Sequence, residues 1–138
     1  MKERIAPLLV MSGAATMLGV ARWLTPSPTG VGTHEQLGLP ACMFLKLTGI
    51  PCPSCGLTTS VAHAVRFEFA AAFAAQPFGL IVTGIAAVII PVSLLMLIQA
   101  TSFENLVRGR RSTAMTYGLV SSYVLAWIYK ICAMHWSF

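Results

Sequence analysis

Residues 78–100 read FGLIVTGIAAVIIPVSLLMLIQA, a run of 23 residues without a single charged side chain. A helix needs about 20 apolar residues to cross the hydrocarbon core of a bilayer. The run therefore predicts a membrane-spanning helix, and it decides the class of fold to which the chain belongs.

Two further segments have the same character, one on each side of this run. Residues 5–24 and 114–133 are apolar along their length, and their charged residues, Arg22 and Lys130, lie near the ends. Long basic side chains at such positions are expected to extend to the membrane interface. The sequence thus predicts three spans, at residues 5–24, 78–100 and 114–133.

Composition agrees with a small membrane protein. The chain has 138 residues, of which 57% are hydrophobic and only 9% are charged, so a soluble domain of this size is excluded. The net charge of +5 comes from scattered basic residues and forms no patch for nucleic acid. We predict an all-α integral membrane protein with one domain over residues 1–138, in contact with the lipid bilayer and without a nucleic-acid partner.

The first span is expected to be retained and not cleaved as a signal peptide. Its apolar stretch is longer than the 7 to 15 residues of a signal-peptide core. Basic residues cluster before this span and between the second and third spans: Lys2, Arg4, Arg108, Arg110 and Arg111. By the positive-inside rule these residues are cytoplasmic. The sequence therefore predicts a bacterial inner-membrane protein with a cytoplasmic N-terminus and a periplasmic loop at residues 25–77.

This outer loop is too apolar to be a free linker. Residues 25–38 carry several prolines and glycines and are predicted to be irregular. After Gly56, apolar residues recur at helical spacing, and residues 67–75 form a second short periodic segment. We expect two short interfacial helices here, in the loop between the first and second spans.

The loop also carries the chain's most specific motif, Cys52-Pro53-Ser54-Cys55-Gly56. Two cysteines with two residues between them bring both sulfurs near one point, which suits a soft metal, a disulfide or thiol exchange. A helix that begins at this turn would lower the pKa of one thiol through its dipole.

The remaining ligands of a metal site would come from elsewhere. Cys42 is the candidate third sulfur, and zinc is the candidate metal; no other cofactor is expected. A fourth ligand is not prescribed by spacing, and the candidates are His34, His63 and Cys132.

Three interpretations of the cysteines stay open. The motif is a structural turn or static disulfide, a metal site, or the active pair of a membrane thiol-disulfide oxidoreductase, in which case Cys52 and Cys55 are the catalytic residues. The sequence has no evident pair of acid and base or nucleophile motif. It favours a non-enzymatic accessory or scaffold subunit, which assembles with other membrane subunits or as a homo-oligomer.

These residues carry a resemblance to a known family. Residues 48–58, TGIPCPSCGLT, preceded by Cys42 and followed by an alanine-rich segment and Gln76-Pro77, resemble the bacterial membrane family catalogued as domain of unknown function 2752. The resemblance implies a small membrane protein whose biochemical role is not established. The family often has Arg, Gly-Asp and Asn where this chain has Thr59, Phe67-Glu68 and Gln76.

Overall fold

A computed structural model of the protein describes residues 2–99 and 110–135, where the regular secondary structure is all helical and no strand is present. The three long helices are α1 (Lys2–Trp23), α5 (Pro77–Gln99) and α6 (Arg110–His135). Each is long and apolar enough to cross a membrane, over Ile5–Trp23, Pro77–Gln99 and Thr113–His135. The predicted all-α class with three spans is confirmed.

Some predictions fall partly outside this description. Ala100, Arg108 and residues 136–138 lie outside the described residues, as do the side chains of Lys2, Arg4, Arg110 and Arg111. The predicted orientation in the membrane therefore stays a prediction.

The loop between α1 and α5 is more helical than expected. The two predicted short helices are α3 (Leu57–Ala64) and α4 (Phe69–Ala75). A further short helix, α2 (Met43–Thr48), precedes them, and a 3-10 helix (Thr33–Leu37) lies in the segment predicted to be irregular. Gly32 and Gly38 flank this 3-10 turn with φ of 85° and 76°, so the turn is short because glycines in the left-handed region bound it.

The helix α4 begins two residues later than predicted. Phe67 has a φ of 64°, which is left-handed and costly for a residue with a Cβ, so the helix cannot include it. At the other end, Gln76 is extended, as a residue before proline prefers, and Pro77 occupies the first turn of α5, where no backbone N–H is needed.

The helix α3 lies at the centre of the loop and packs against α4, α5 and α1. Its Ser60 is fully buried, and its hydroxyl lies 2.8 Å from the Ala72 carbonyl oxygen and 2.7 Å from that of Gln76. A Cβ at Gly79 of α5 would overlap the Ser60 side chain. The glycine therefore allows the close approach by which the loop folds back onto the second span.

Arg66, directly after α3, ties the loop to the first span. Its guanidinium donates hydrogen bonds to the carbonyl oxygens of Ala21, Arg22 and Leu24, at 3.2, 2.7 and 2.7 Å. It also donates to the Ala62 carbonyl at 2.6 Å. The last carbonyls of a helix have no partner inside the helix, and a basic group there satisfies them. Arg66 thus caps the C-terminal end of α1.

The third span, α6, is held largely by aromatic contacts and by the loop. Edge-to-face ring pairs join Tyr123 to Phe78 and Tyr129 to Phe73, with ring centroids 5.0 and 5.3 Å apart. The Trp127 indole N–H donates a hydrogen bond to the Pro51 carbonyl oxygen at 2.9 Å. The face of α6 that carries Trp127 therefore lies against the cysteine turn.

Candidate metal centre

The cysteine turn is a tight reversal that ends at the start of α3. The Cys55 amide donates to the Cys52 carbonyl oxygen at 2.9 Å, and Gly56, the residue before α3, has a φ of 86°. This reversal places the Cys52 and Cys55 sulfur atoms 3.2 Å apart. Cys55 is buried, with 6% of its surface exposed, whereas Cys52 is half-buried.

Cys42 joins this pair from the other end of α2. It lies directly before the helix, and Gly49, with a φ of 71°, ends the helix and turns the chain back toward residues 51–56. As a result the sulfur atoms of Cys42, Cys52 and Cys55 all lie within 4.8 Å of one another. Two thiolates bound to one zinc ion lie about 3.8 Å apart, given Zn–S bonds of about 2.3 Å in tetrahedral geometry. The predicted three sulfurs therefore form a group of the size that a metal ion requires.

The pKa values of two of these thiols are shifted in opposite directions. The pKa of Cys42 is lowered to about 7, chiefly by the Leu45 backbone N–H and to a lesser extent by the other two thiols. The Cys42 side chain nevertheless forms no full capping hydrogen bond at this end of α2. Burial, with contributions from the Cys52 and Cys42 thiols, raises the pKa of Cys55 to about 12. The expected lowering by the helix dipole is therefore wrong for Cys55, because desolvation outweighs it.

This difference predicts selective alkylation of the metal-free protein. Because the thiolate is the nucleophile, Cys42 should react with iodoacetamide at a rate that rises through about pH 7 and levels off above it, while Cys55 stays protonated and unreactive. The sites are read by mass spectrometry after chelation and reduction. A Cys42 that reaches half its maximal rate only near pH 8.5, the value of a free cysteine, would contradict this assignment.

The two histidines proposed as fourth ligands lie in different places. The His34 Nε2 atom is 3.3 Å from the Pro40 carbonyl oxygen, and the ring lines a pocket of about 230 Å³ together with Cys42 and Cys55. His63 forms an ion pair with Glu68 and lines a separate cavity. Neither histidine nitrogen belongs to the sulfur group among the described residues, so His34 is near the centre and His63 is not.

The fourth cysteine also stands apart. Cys132 is exposed on α6 and is not a member of the group that the described residues form. It is therefore a natural reference thiol for experiments on the other three.

Sequence reasoning missed the side chains that hold the turn in place. Trp127 binds the Pro51 carbonyl, and the amide of Gln76, which is fully buried, donates to the Pro53 carbonyl oxygen at 3.1 Å. These bonds lie on either side of Cys52 and fix its backbone from two directions. In the sequence, Gln76 was noticeable only because it precedes Pro77. The family that the motif resembles often has asparagine, a shorter amide, at this position.

Thr59 also has a defined role. The family that the motif resembles often has arginine at this position. The Thr59 hydroxyl is buried and forms a hydrogen bond of 2.7 Å with the Thr33 hydroxyl. The contact joins α3 to the 3-10 helix. This position therefore contributes to the packing of the loop and supplies no charge to the cysteine group.

Lys130 was expected to extend to the membrane interface, but it is buried. Only 4% of its surface is exposed, and its ammonium lies 3.4 Å from the Gly30 carbonyl oxygen. A Cβ at Gly56 would be 3.3 Å from the Lys130 nitrogen. The lysine therefore reaches under the loop, because the loop folds over this face of α6.

Comparisons with curated proteins and with solved structures found no match. A comparison with protein families did find one, over the segment that runs from the first cysteine of the group into α5. Residues 42–90 match the family described as "Protein of unknown function (DUF2752)", which confirms the resemblance stated from the motif residues.

Proposed function

We propose that this chain is a non-enzymatic accessory or scaffold subunit of a bacterial inner membrane, whose periplasmic loop is held by a metal ion on Cys42, Cys52 and Cys55. The observation that carries this proposal is the gathering of three sulfurs within 4.8 Å from two separate segments of the loop. Zinc is the metal proposed, because thiolates are among its preferred ligands in structural sites.

The chemistry of the donors supports a metal. Metal binding requires deprotonated sulfur, and a thiol with a pKa of about 7, that of Cys42, gives up its proton readily. Cys55 is protonated at neutral pH without a metal, and a bound cation would displace that proton. The centre would thus convert two distant loop segments and a buried thiol into one cross-linked unit.

The position of the centre supports a structural role. The three cysteines link α2, the turn and the start of α3, and α3 in turn packs on α1, α4 and α5. A cross-link here would stabilise the surface that the loop presents above the spans. A single domain over the whole chain, and assembly with other subunits or with a second copy, belong to the same proposal.

Metal analysis of the purified full chain tests this function. We expect about one zinc per chain, lost in Cys42→Ser and Cys55→Ser and retained in Cys132→Ser, the matched control outside the group. Zinc at 1,000 times its dissociation constant should stabilise the fold by about 4 kcal/mol, so chelation should lower the melting temperature of the wild type and of Cys132→Ser alike.

Two results would contradict the proposal. One is full zinc occupancy in both cysteine variants of the group. The other is a metal-free wild type with a readily reduced disulfide between Cys52 and Cys55, which would indicate thiol-disulfide exchange.

A further inference from the structure

Lys130 is a buried cation without a matching anion. Its surface is 96% buried, and its one described hydrogen bond is the 3.4 Å contact with Gly30. The ion pair of His63 with Glu68 is the only one among the described residues, so no carboxylate there balances the lysine. An ammonium has three N–H donors, and burial without partners is costly for a charge.

A cavity of about 860 Å³ lies directly beside this ammonium. Lys130 contributes to its lining, together with Ser27 and Thr29 of the segment before the 3-10 helix. Alanines of α4, among them Ala71 and Ala74, form an apolar part of the lining. The cavity therefore combines one cation, two hydroxyl groups and an apolar wall.

Neighbouring charges do not satisfy the lysine. His63 of the lining has the Glu68 carboxylate as its partner, and the described lining contains no acidic residue that could pair with Lys130. Within the described part of the chain the Cys55 sulfur accepts no hydrogen bond from the ammonium, whose described contact is the Gly30 carbonyl oxygen. Because one N–H of the ammonium is directed to Gly30, its other two N–H groups are available to a ligand in the cavity.

The place of the cavity along α6 indicates which anion could reach it. Lys130 is five residues before His135, the last described residue of this span, so the cavity lies at the end of the apolar run. In a bilayer this level is the polar region that holds the lipid headgroups, so a headgroup phosphate is an anion within reach of the cavity.

We propose that this cavity is a binding site for a phosphate group, with the Lys130 ammonium as its cation and hydrogen-bond donor. A phospholipid headgroup and free phosphate share this chemistry, and the alanine wall would accommodate the start of an acyl chain. The proposed site shares no residue with the cysteine group.

Native mass spectrometry of the full chain in detergent tests the site, with phosphatidylglycerol and inorganic phosphate as separate probes. We expect Lys130→Gln to lose at least about fivefold in retained phosphatidylglycerol, since the loss of one hydrogen bond costs about 1 kcal/mol and hydrogen bonds between charged groups are stronger. Lys46→Gln, which removes an exposed lysine of the same loop, should bind like the wild type. Retention of inorganic phosphate alone, again lost in Lys130→Gln, would assign the site to the free anion.

A second variant keeps the test decisive if Lys130→Gln does not fold. Ala74→Leu fills the cavity from its apolar wall and leaves the lysine in place, and it should reduce lipid retention while the zinc content stays unchanged. Equal retention of both probes by the wild type, Lys130→Gln and Ala74→Leu would overturn the proposal. Loss of zinc from the cysteine variants with lipid retention unchanged would separate this site from the metal centre.

Discussion

Replacing Gly56 with alanine is expected to be the most destabilising single change in the loop. Gly56 has a φ of 86°, and a Cβ built on it would lie 2.6 Å from the Ala75 carbonyl oxygen and 2.7 Å from that of Gly30. The left-handed conformation costs a residue with a Cβ about 1–2 kcal/mol, and overpacking adds about 1–3 kcal/mol. The backbone contacts cannot relax as a flexible side chain would.

The matched control for this change is Gly38→Ala. Gly38 has a similar φ of 76°, but no atom lies within 4 Å of its would-be Cβ, so only the conformational cost of about 1–2 kcal/mol applies. Unfolding of both variants in detergent, followed by circular dichroism, measures the difference. Because Gly56 follows Cys55, zinc affinity should fall in Gly56→Ala and stay unchanged in Gly38→Ala. Equal stability of the two variants would show that Gly56 does not pack closely against the Ala75 and Gly30 carbonyls.

Replacing Arg66 with alanine is expected to release the loop from the first span. The change removes four hydrogen bonds to carbonyl oxygens, three of them from the end of α1. Hydrogen bonds to charged groups contribute about 1.5–3 kcal/mol each when measured singly, but these share one half-buried side chain, so we expect a total loss of about 2–4 kcal/mol.

Two variants control for charge and for geometry. Arg22→Ala removes an exposed arginine at the same end of α1 and should change the unfolding free energy by no more than about 0.5 kcal/mol. Arg66→Lys keeps the charge but lacks the planar fork that reaches several carbonyls, so its stability should lie between those of the wild type and Arg66→Ala. The proximity of the loop to α1 is read by cross-linking cysteines placed at their contact. A loss in Arg66→Ala no larger than that in Arg22→Ala would exclude the capping role.

Arg66 also shows where charge patterning is ambiguous. In the sequence it is a positive residue on the side of the membrane predicted to be periplasmic, which weakens the positive-inside argument. In the fold its charge serves the carbonyls of a helix end, so its position is set by a local contact and carries little information about orientation.

Interactions between residues that are close in the sequence allowed the spans and the cysteine turn to be predicted. The spans follow from runs of apolar residues, because hydrocarbon accepts only helices whose backbone groups are satisfied internally. The pairing of Cys52 with Cys55 follows from their spacing, because two intervening residues and a left-handed glycine leave the sulfurs few other positions.

The path of the loop could not be predicted from the sequence, because it depends on contacts between residues that are far apart in the chain. Cys42 reaches the other two sulfurs only because α2 and the turn at Gly49 bring the chain back. The Trp127 indole donates to the Pro51 carbonyl oxygen, and the Lys130 ammonium donates to that of Gly30. Each side chain lies about 75 residues or more beyond the segment that it contacts. A span residue that faces lipid has the same local sequence pattern as one that faces a folded loop. Composition and spacing therefore predicted the membrane class and the cysteine turn. The assembled centre and the buried lysine depend on how the loop packs, so they required the tertiary structure.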